Sequence, residues 1–218
     1  MTISHSLPDN DFPVTAIELS PSSPNGSNGW YTSSVTLAVS ASDTGGSGVD
    51  ETRCELDPAI VPFGFFELSS TPCPYLGDGA AVSEEGRHAV YAASKDKAGN
   101  EGLVAGTNFK IDKTAPTITG AATTSPNASG WYNGDVVVHF TCSDARSGIP
   151  AGACPSDEVL SSDGLGVAST AKTVTDAAGT RARRATSSRS TSTTRRRPSR
   201  GARRRSPTRP AGTGTTST

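Results

Sequence analysis

Apolar and polar residues alternate one by one in several stretches of the chain. Val35, Leu37 and Val39 are separated by Thr36, Ala38 and Ser40, and Val136, Val138 and Phe140 by Val137, His139 and Thr141. His88, Val90 and Ala92 share one face of a further stretch, with Ala89 and Tyr91 on the other, and Phe109 and Ile111 close the series. A period of two sends successive side chains to opposite faces of an extended backbone, so these are half-buried strands. Clusters of Gly, Asp, Ser and Pro between them turn the chain. No stretch carries a convincing helical period, and the pattern predicts an all-β fold.

The pattern repeats. Ser23 to Cys54 reads SPNGSNGWYTSSVTLAVSASDTGGSGVDETRC, and Ser125 to Cys154 reads SPNASGWYNGDVVVHFTCSDARSGIPAGAC. Trp30 pairs with Trp131, Tyr31 with Tyr132, Asp43 with Asp144, Gly48 with Gly148 and Cys54 with Cys154; DKAGN from Asp96 then matches DAAGT from Asp176. Internal self-similarity of this kind marks stacked structural units. The expected layout is an N-terminal disordered segment 1–13, a first unit 14–116, a shorter second unit 117–179, and a C-terminal tail 180–218.

The GWY opening, the SASDTGGSGV and TCSDARSGI turns, the cysteine pairs, DKAGN and the FKIDKTAPTITG junction together resemble the Ig-like repeats of large bacterial surface and secreted proteins. The resemblance covers roughly residues 14 to 180. It implies tandem β-sandwiches that space or present other domains, with neighbouring repeats as partners and an extracellular or cell-surface location. Two departures stand out. The first unit carries CELDPAIVPFGFFELSSTPCP where such repeats have a shorter hairpin, and the second places Cys142 on its early strand.

Composition sharpens this picture. Hydrophobic residues are only 33%, while Gly, Pro, Ser and Thr abound, which suits short strands and many turns. No stretch reaches the apolar length of a membrane span. Cys54, Cys73, Cys142 and Cys154 form two local pairs, and an even count in such a sequence favours disulfides and an oxidising compartment over a metal or redox site. A loop of the Cys54 to Cys73 size contributes on the order of 3 kcal/mol. The opening MTISHSLPDNDFPV lacks the basic and apolar regions of a signal peptide, which leads to the expectation of a fragment.

Charge is segregated. Twelve of the 20 basic side chains are arginines between Arg181 and Arg209, leaving 8 against all 21 acidic ones in the body. An Arg/Ser/Thr run of this kind reads as a nucleic-acid-binding arm or as a coding sequence out of frame. The second reading is favoured. Shifted by one base, with arginine in its CGN codons, codons 191–217 permit I-D-x-T-A-P-x-I-x-G, then G-W-Y, then D-V. The recovered Pro at codon 196 and Gly at codon 210 stand as far apart as Pro116 and Gly130. The positions matching Ser125 and Asn133 fail the test. A frameshift near Gly179 removes the last strand of the second unit, equivalent to Asn108 through Ile111, so residues 117–179 are expected to be marginal and the tail disordered.

Candidate chemistry is sparse. Asp43, Asp96, Asp112 and Asp144 lie in Gly/Ser-rich turns or at the junction between units. Backbone-capping turns are the ordinary role for such residues, and calcium held by hard oxygens is the functional alternative. Trp30/Tyr31 and Trp131/Tyr132 are expected to pack rather than to stack on sugars. His5, His88 and His139 are isolated, Glu84 and Glu85 fall in a turn, and no nucleophile or phosphate-loop motif is present, so an enzyme is not expected. The Pro58 to Ser70 insertion, with Phe63, Phe65 and Phe66, is the best surface for an extracellular protein or carbohydrate ligand: exposure argues for binding and burial for packing.

Overall fold

The computed structural model describes residues 9–44 and 46–182. It is all-β, with three small antiparallel sheets. The first unit contains β1 (Val14–Ser20), β2 (Val35–Ser42), β3 (Val49–Leu56), β4 (Ala80–Val82), β5 (Gly86–Asp96) and β6 (Ala105–Ile111). They pair as β1-β2-β4 and β3-β5-β6. The second unit contains β7 (Thr117–Ala122), β8 (Val136–Ser143) and β9 (Glu158–Leu160), paired as β7-β8-β9. Among the described residues no helix is long and apolar enough to cross a membrane.

The two sheets of the first unit pack face to face. Val35 and Leu37 from one meet Val90, Phe109 and Ile111 from the other, with Tyr31 and Val82 in the same cluster. Val35, Leu37, Val90, Phe109 and Ile111 are alternating positions read from sequence, and burying each such side chain gives about 1.5–3 kcal/mol. A polar pin also crosses the core. The hydroxyl of buried Ser94 on β5 lies 2.8 Å from that of Thr15 on β1 and 2.9 Å from that of Thr52 on β3.

In the second unit Val136, Val138, Phe140 and Leu160 form the cluster, with Ile118, Tyr132 and Val167 against it. Its first strand pair shows a size exchange relative to the first unit. Ile17 faces Val39 across β1 and β2, whereas Gly120 faces Phe140 across β7 and β8. A Cβ on Gly120 would lie 2.9 Å from the Phe140 ring, so the larger side chain requires the smaller neighbour.

Both local cysteine pairs form disulfides, Cys54–Cys73 and Cys142–Cys154. The aligned cysteines Cys54 and Cys154 bond in opposite directions along the chain, forward in the first unit and backward in the second. The first bridge ties β3 to the loop before β4, beside Val39 and Ala92. The second ties the end of β8 to the following loop.

Residues 9–13 of the N-terminal segment are in place: Asp9 accepts the Ser47 N–H at 2.9 Å, and the carbonyl of Asp11 accepts from Asn100 at 3.1 Å. Residues 1–8 and 183–218 lie outside the described residues, and so do His5, the Arg-rich run beyond Ala182 and the disorder and frameshift expected for it.

Candidate functional site

The four candidate aspartates separate into two groups, and each group recruits a third. Asp43 and Asp96 meet Asp9; Asp112 and Asp144 meet Asp176. Within each triad one carboxylate oxygen per residue lies within 4.8 Å of the others. Each triad is assembled from three distant pieces: the residue entering the first strand of a unit, the turn after its second strand, and the D-x-A-G turn.

The two triads match bond by bond. Ser47 N–H donates to Asp9 at 2.9 Å, and Ser147 N–H to Asp112 at 3.0 Å. Gly48 N–H donates to Asp43 at 2.7 Å, and Gly148 N–H to Asp144 at 2.8 Å. Asn100 N–H reaches Asp96 at 2.7 Å, and Thr180 N–H reaches Asp176 at 2.9 Å. The second oxygen of Asp96 accepts the Asn100 amide at 2.7 Å, and that of Asp176 accepts the Thr180 hydroxyl. Lys97 N–H to the Gly48 carbonyl, 3.0 Å, is matched by Ala177 N–H to the Gly148 carbonyl, 2.9 Å. Gly48 and Gly148 have φ of 80° and 81°, a left-handed geometry that suits glycine.

For Asp9 and Asp96 the shell favours the ionised form. Hydrogen bonds from the Ser47 side chain, then from the Ser47 and Asp11 backbone, hold the Asp9 carboxyl below its ordinary value. For Asp96 burial pushes upward, but the Asn100 side chain and the Asn100 and Gly99 amides outweigh it, and the carboxyl again falls below its ordinary value. The donors on Asp9, Asp96, Asp112 and Asp176 named above are neutral N–H, amide and hydroxyl groups. An all-carboxylate set without His or Cys suits a hard cation such as calcium rather than zinc. The three aspartates would supply the anionic ligands of such an ion.

The second triad sits at the covalent junction. Asp112 follows Ile111, the last residue of β6, and its N–H donates to the Tyr31 carbonyl at 2.8 Å while Tyr31 N–H donates to the Lys110 carbonyl at 2.8 Å. The loop just before Tyr31 then reaches the second unit. Ser27 N–H donates to the Ala178 carbonyl at 2.7 Å, and the Asn28 amide to the Ala177 carbonyl at 2.8 Å. A Cβ on Gly26 would lie 2.6 Å from the Ala178 oxygen, so the contact demands glycine there. Glu85 completes the clasp by accepting the Lys113 N–H at 2.6 Å and the Thr114 hydroxyl at 2.8 Å.

Other candidates fall elsewhere. Trp30 and Tyr31 are buried, and the Lys110 ammonium lies 4.9 Å from the Trp30 ring. Trp131 is 37% exposed against 4% for Trp30. His88 is buried, with Nδ1 2.8 Å from Asp57 and Nε2 3.0 Å from the Glu84 carbonyl, so both ring nitrogens are engaged. His139 is exposed and pairs with Asp157 at 2.7 Å. The insertion is divided: Phe65 is buried under Arg53, whose guanidinium is 4.5 Å from its ring, while Phe63 and Phe66 are 86% and 65% exposed.

Asp9 and Asp176 were not singled out from sequence. The signals were present: DNDFP at Asp9 has the Asp and Pro spacing of DKTAP at Asp112, and DAAGT aligns with DKAGN. No protein-family model matches the chain, and no curated protein matches it at a significant level.

Proposed function

We propose that the chain is a tandem of Ig-like repeats that acts as a spacer or presenting scaffold of a secreted or cell-surface protein, without catalytic activity. The observation that carries this reading is the junction, where the tip loop of the first unit is hydrogen-bonded to a turn of the second. Two units held by backbone bonds as well as by a linker resist bending at the joint, and Pro116 adds a fixed φ. The test is ¹⁵N relaxation on the intact chain. A single rotational correlation time for both units is expected; two independent values would dismiss a stiff spacer.

Calcium belongs to the same reading. The duplicated triads support it, because each gathers three carboxylates at the entry to a unit, and the second lies where one unit meets the next. Calorimetric titration of the full chain with calcium chloride is expected to give two sites, one lost in Asp43→Asn and the other in Asp144→Asn. Saturation at a hundredfold over Kd would add about 2.7 kcal/mol of stability per site. Absence of heat with the wild-type chain would remove calcium from the account.

A second reading rests on the insertion. Ile60, Val61, Phe63 and Phe66 are exposed together on one loop, a surface suited to an extracellular protein or carbohydrate. A ligand retained by the wild type from a glycan and matrix-protein panel, and lost by Phe63→Ser/Phe66→Ser, would establish it. Unchanged retention would sink it.

A further inference from the structure

The junction has a donating half, the tip loop, and a receiving half, the D-x-A-G turn. In the second unit the receiving turn is covered: Ala178 is fully buried, and the carbonyls of Ala177 and Ala178 take bonds from Asn28 and Ser27. The first unit carries the same turn in the same shape. Asp96 N–H to the Asn100 carbonyl is 3.0 Å against 3.1 Å for Asp176 and Thr180, and Gly99 N–H to the Asp96 carbonyl is 3.2 Å against 3.3 Å for Gly179 and Asp176. Gly102 N–H to the Ser94 carbonyl, 2.8 Å, corresponds to Ala182 N–H to the Val174 carbonyl, 2.9 Å. Yet Lys97 and Ala98 are exposed where Ala177 is half-buried and Ala178 buried, while the glycines Gly99 and Gly179 are exposed in both turns. Ala98 stands where Ala178 is buried.

A largely apolar recess lies on one side of this uncovered turn. Phe12, Val14 and Leu103 are 64%, 66% and 92% exposed, and they line it with Pro13, Val104 and Ala105, with Thr15 and Glu101 as its polar members. The recess adjoins the turn, since the Asn100 amide binds the Asp9 and Asp11 carbonyls just before Phe12. Exposed apolar side chains grouped beside such a turn are a feature of interaction surfaces.

We infer that the Lys97 to Gly99 turn, with Phe12 and Leu103 beside it, is a docking surface for the tip loop of another such repeat joined in tandem ahead of the first unit. The occupant is a turn that, like Gly26 to Tyr31, presents a glycine at the contact and donates a backbone N–H and a side-chain amide. The receiving atoms are the Ala98 and Lys97 carbonyls. A preceding repeat would enter through Asp9 as the first unit enters the second through Asp112, because both aspartates hold the same place in their triads. Attachment in cis is what makes so small a contact effective. One loop buries far less than the roughly 1,000 Å² of a free-standing interface, whereas a short linker supplies a millimolar local concentration. The inference rests on the repeat-array reading and goes beyond it by naming the surface and the partner.

The test uses the full chain and the same chain with a copy of residues 9–111 fused directly before Asp9. Ala98→Cys is placed in the original first unit of each, and a water-soluble maleimide reports its accessibility. Labelling is expected to be fast in the chain alone and at least about tenfold slower in the fusion, as local closure protects the site. Equal rates overturn the inference. A second readout needs no substitution: in the fusion, the Ser27 amide of the added copy is expected to be as protected from hydrogen exchange as the original Ser27, and an unprotected amide there also overturns it. The original Ser27 amide is the control. If it too exchanges freely in the unfused chain, the junction does not form in solution, and the scaffold reading fails rather than this one alone.

Discussion

The two units share their loops and differ in their cores. The first closes two three-stranded sheets over Leu37, Val90 and Ile111. The second, among the described residues, has one three-stranded sheet and a smaller cluster around Phe140. The acidic triads nevertheless agree to within a few tenths of an ångström in the hydrogen bonds that build them. Two of the three carboxylates in each triad bind within their own turn, to groups four or five residues away, so that part of the geometry needs no complete sandwich. Tryptophan burial does need one. Trp30 lies beneath Lys110 of β6 and Arg87 of β5, and the described part of the second unit offers Trp131 no equivalent strands.

The largest effect that can break this comparison is loss of the smaller core. Phe140→Ala is expected to cost about 3–5 kcal/mol and to unfold the second unit alone. The first unit's amide spectrum should persist; its collapse would mean that the units fold as one. Removing the Cys142–Cys154 bridge by paired alanines is expected to cost about 3 kcal/mol, similar to removal of Cys54–Cys73, yet only the former should abolish its unit's denaturant transition. Loss of both transitions to the same extent would show that the single-sheet unit is as well supported as the sandwich.

Smaller changes sharpen the comparison at the joint. Gly26→Ala drives a methyl group against the Ala178 carbonyl and is expected to cost about 1–3 kcal/mol, separating the thermal transitions of the two units in calorimetry. An unaltered thermogram would show that the tip loop yields without cost. The smallest effect is acidic. Glu158 is held below its ordinary value by hydrogen bonding to Lys172, 2.8 Å away, then to the Thr170 backbone. A carboxyl depressed in the fold stabilises fully above its unfolded pKa, near 4.3, and loses that contribution as pH falls through the folded value. Glu158→Gln is therefore expected to flatten the second unit's midpoint against pH below about 4 and to leave the first unit's unchanged. The first unit has its own counterpart in Glu51, lowered by Arg53. An equally steep acid fall in the variant would assign the acid sensitivity to other carboxyls.

Legibility in the sequence followed the strength of each local signal. β2, β5 and β8 alternate cleanly and were readable. β3, VDETRCEL, was not, because only Cys54 along it is buried and its other side chains are partly or fully solvated. Two of the six triad aspartates are not legible as candidate ligands for another reason. Asp9 and Asp176 sit at the edges of the repeat, where one copy's motif is diluted, as in DNDFP against DKTAP and DAAGT against DKAGN. Their spacing along the chain says nothing about convergence, since Asp9 and Asp96 are brought together only when β1 and β5 pack.

By itself the sequence determined the all-β character, the repetition and the two cysteine pairs, because each rests on periodicity or proximity along the chain. Tertiary structure alone decided which aspartates meet, which tryptophan is covered, and that one unit's tip loop lies on the next unit's turn. Those outcomes depend on contacts between residues as far apart as Asn28 and Ala177. No local pattern encodes such contacts, because they exist only once both units have folded and the linker has set their distance.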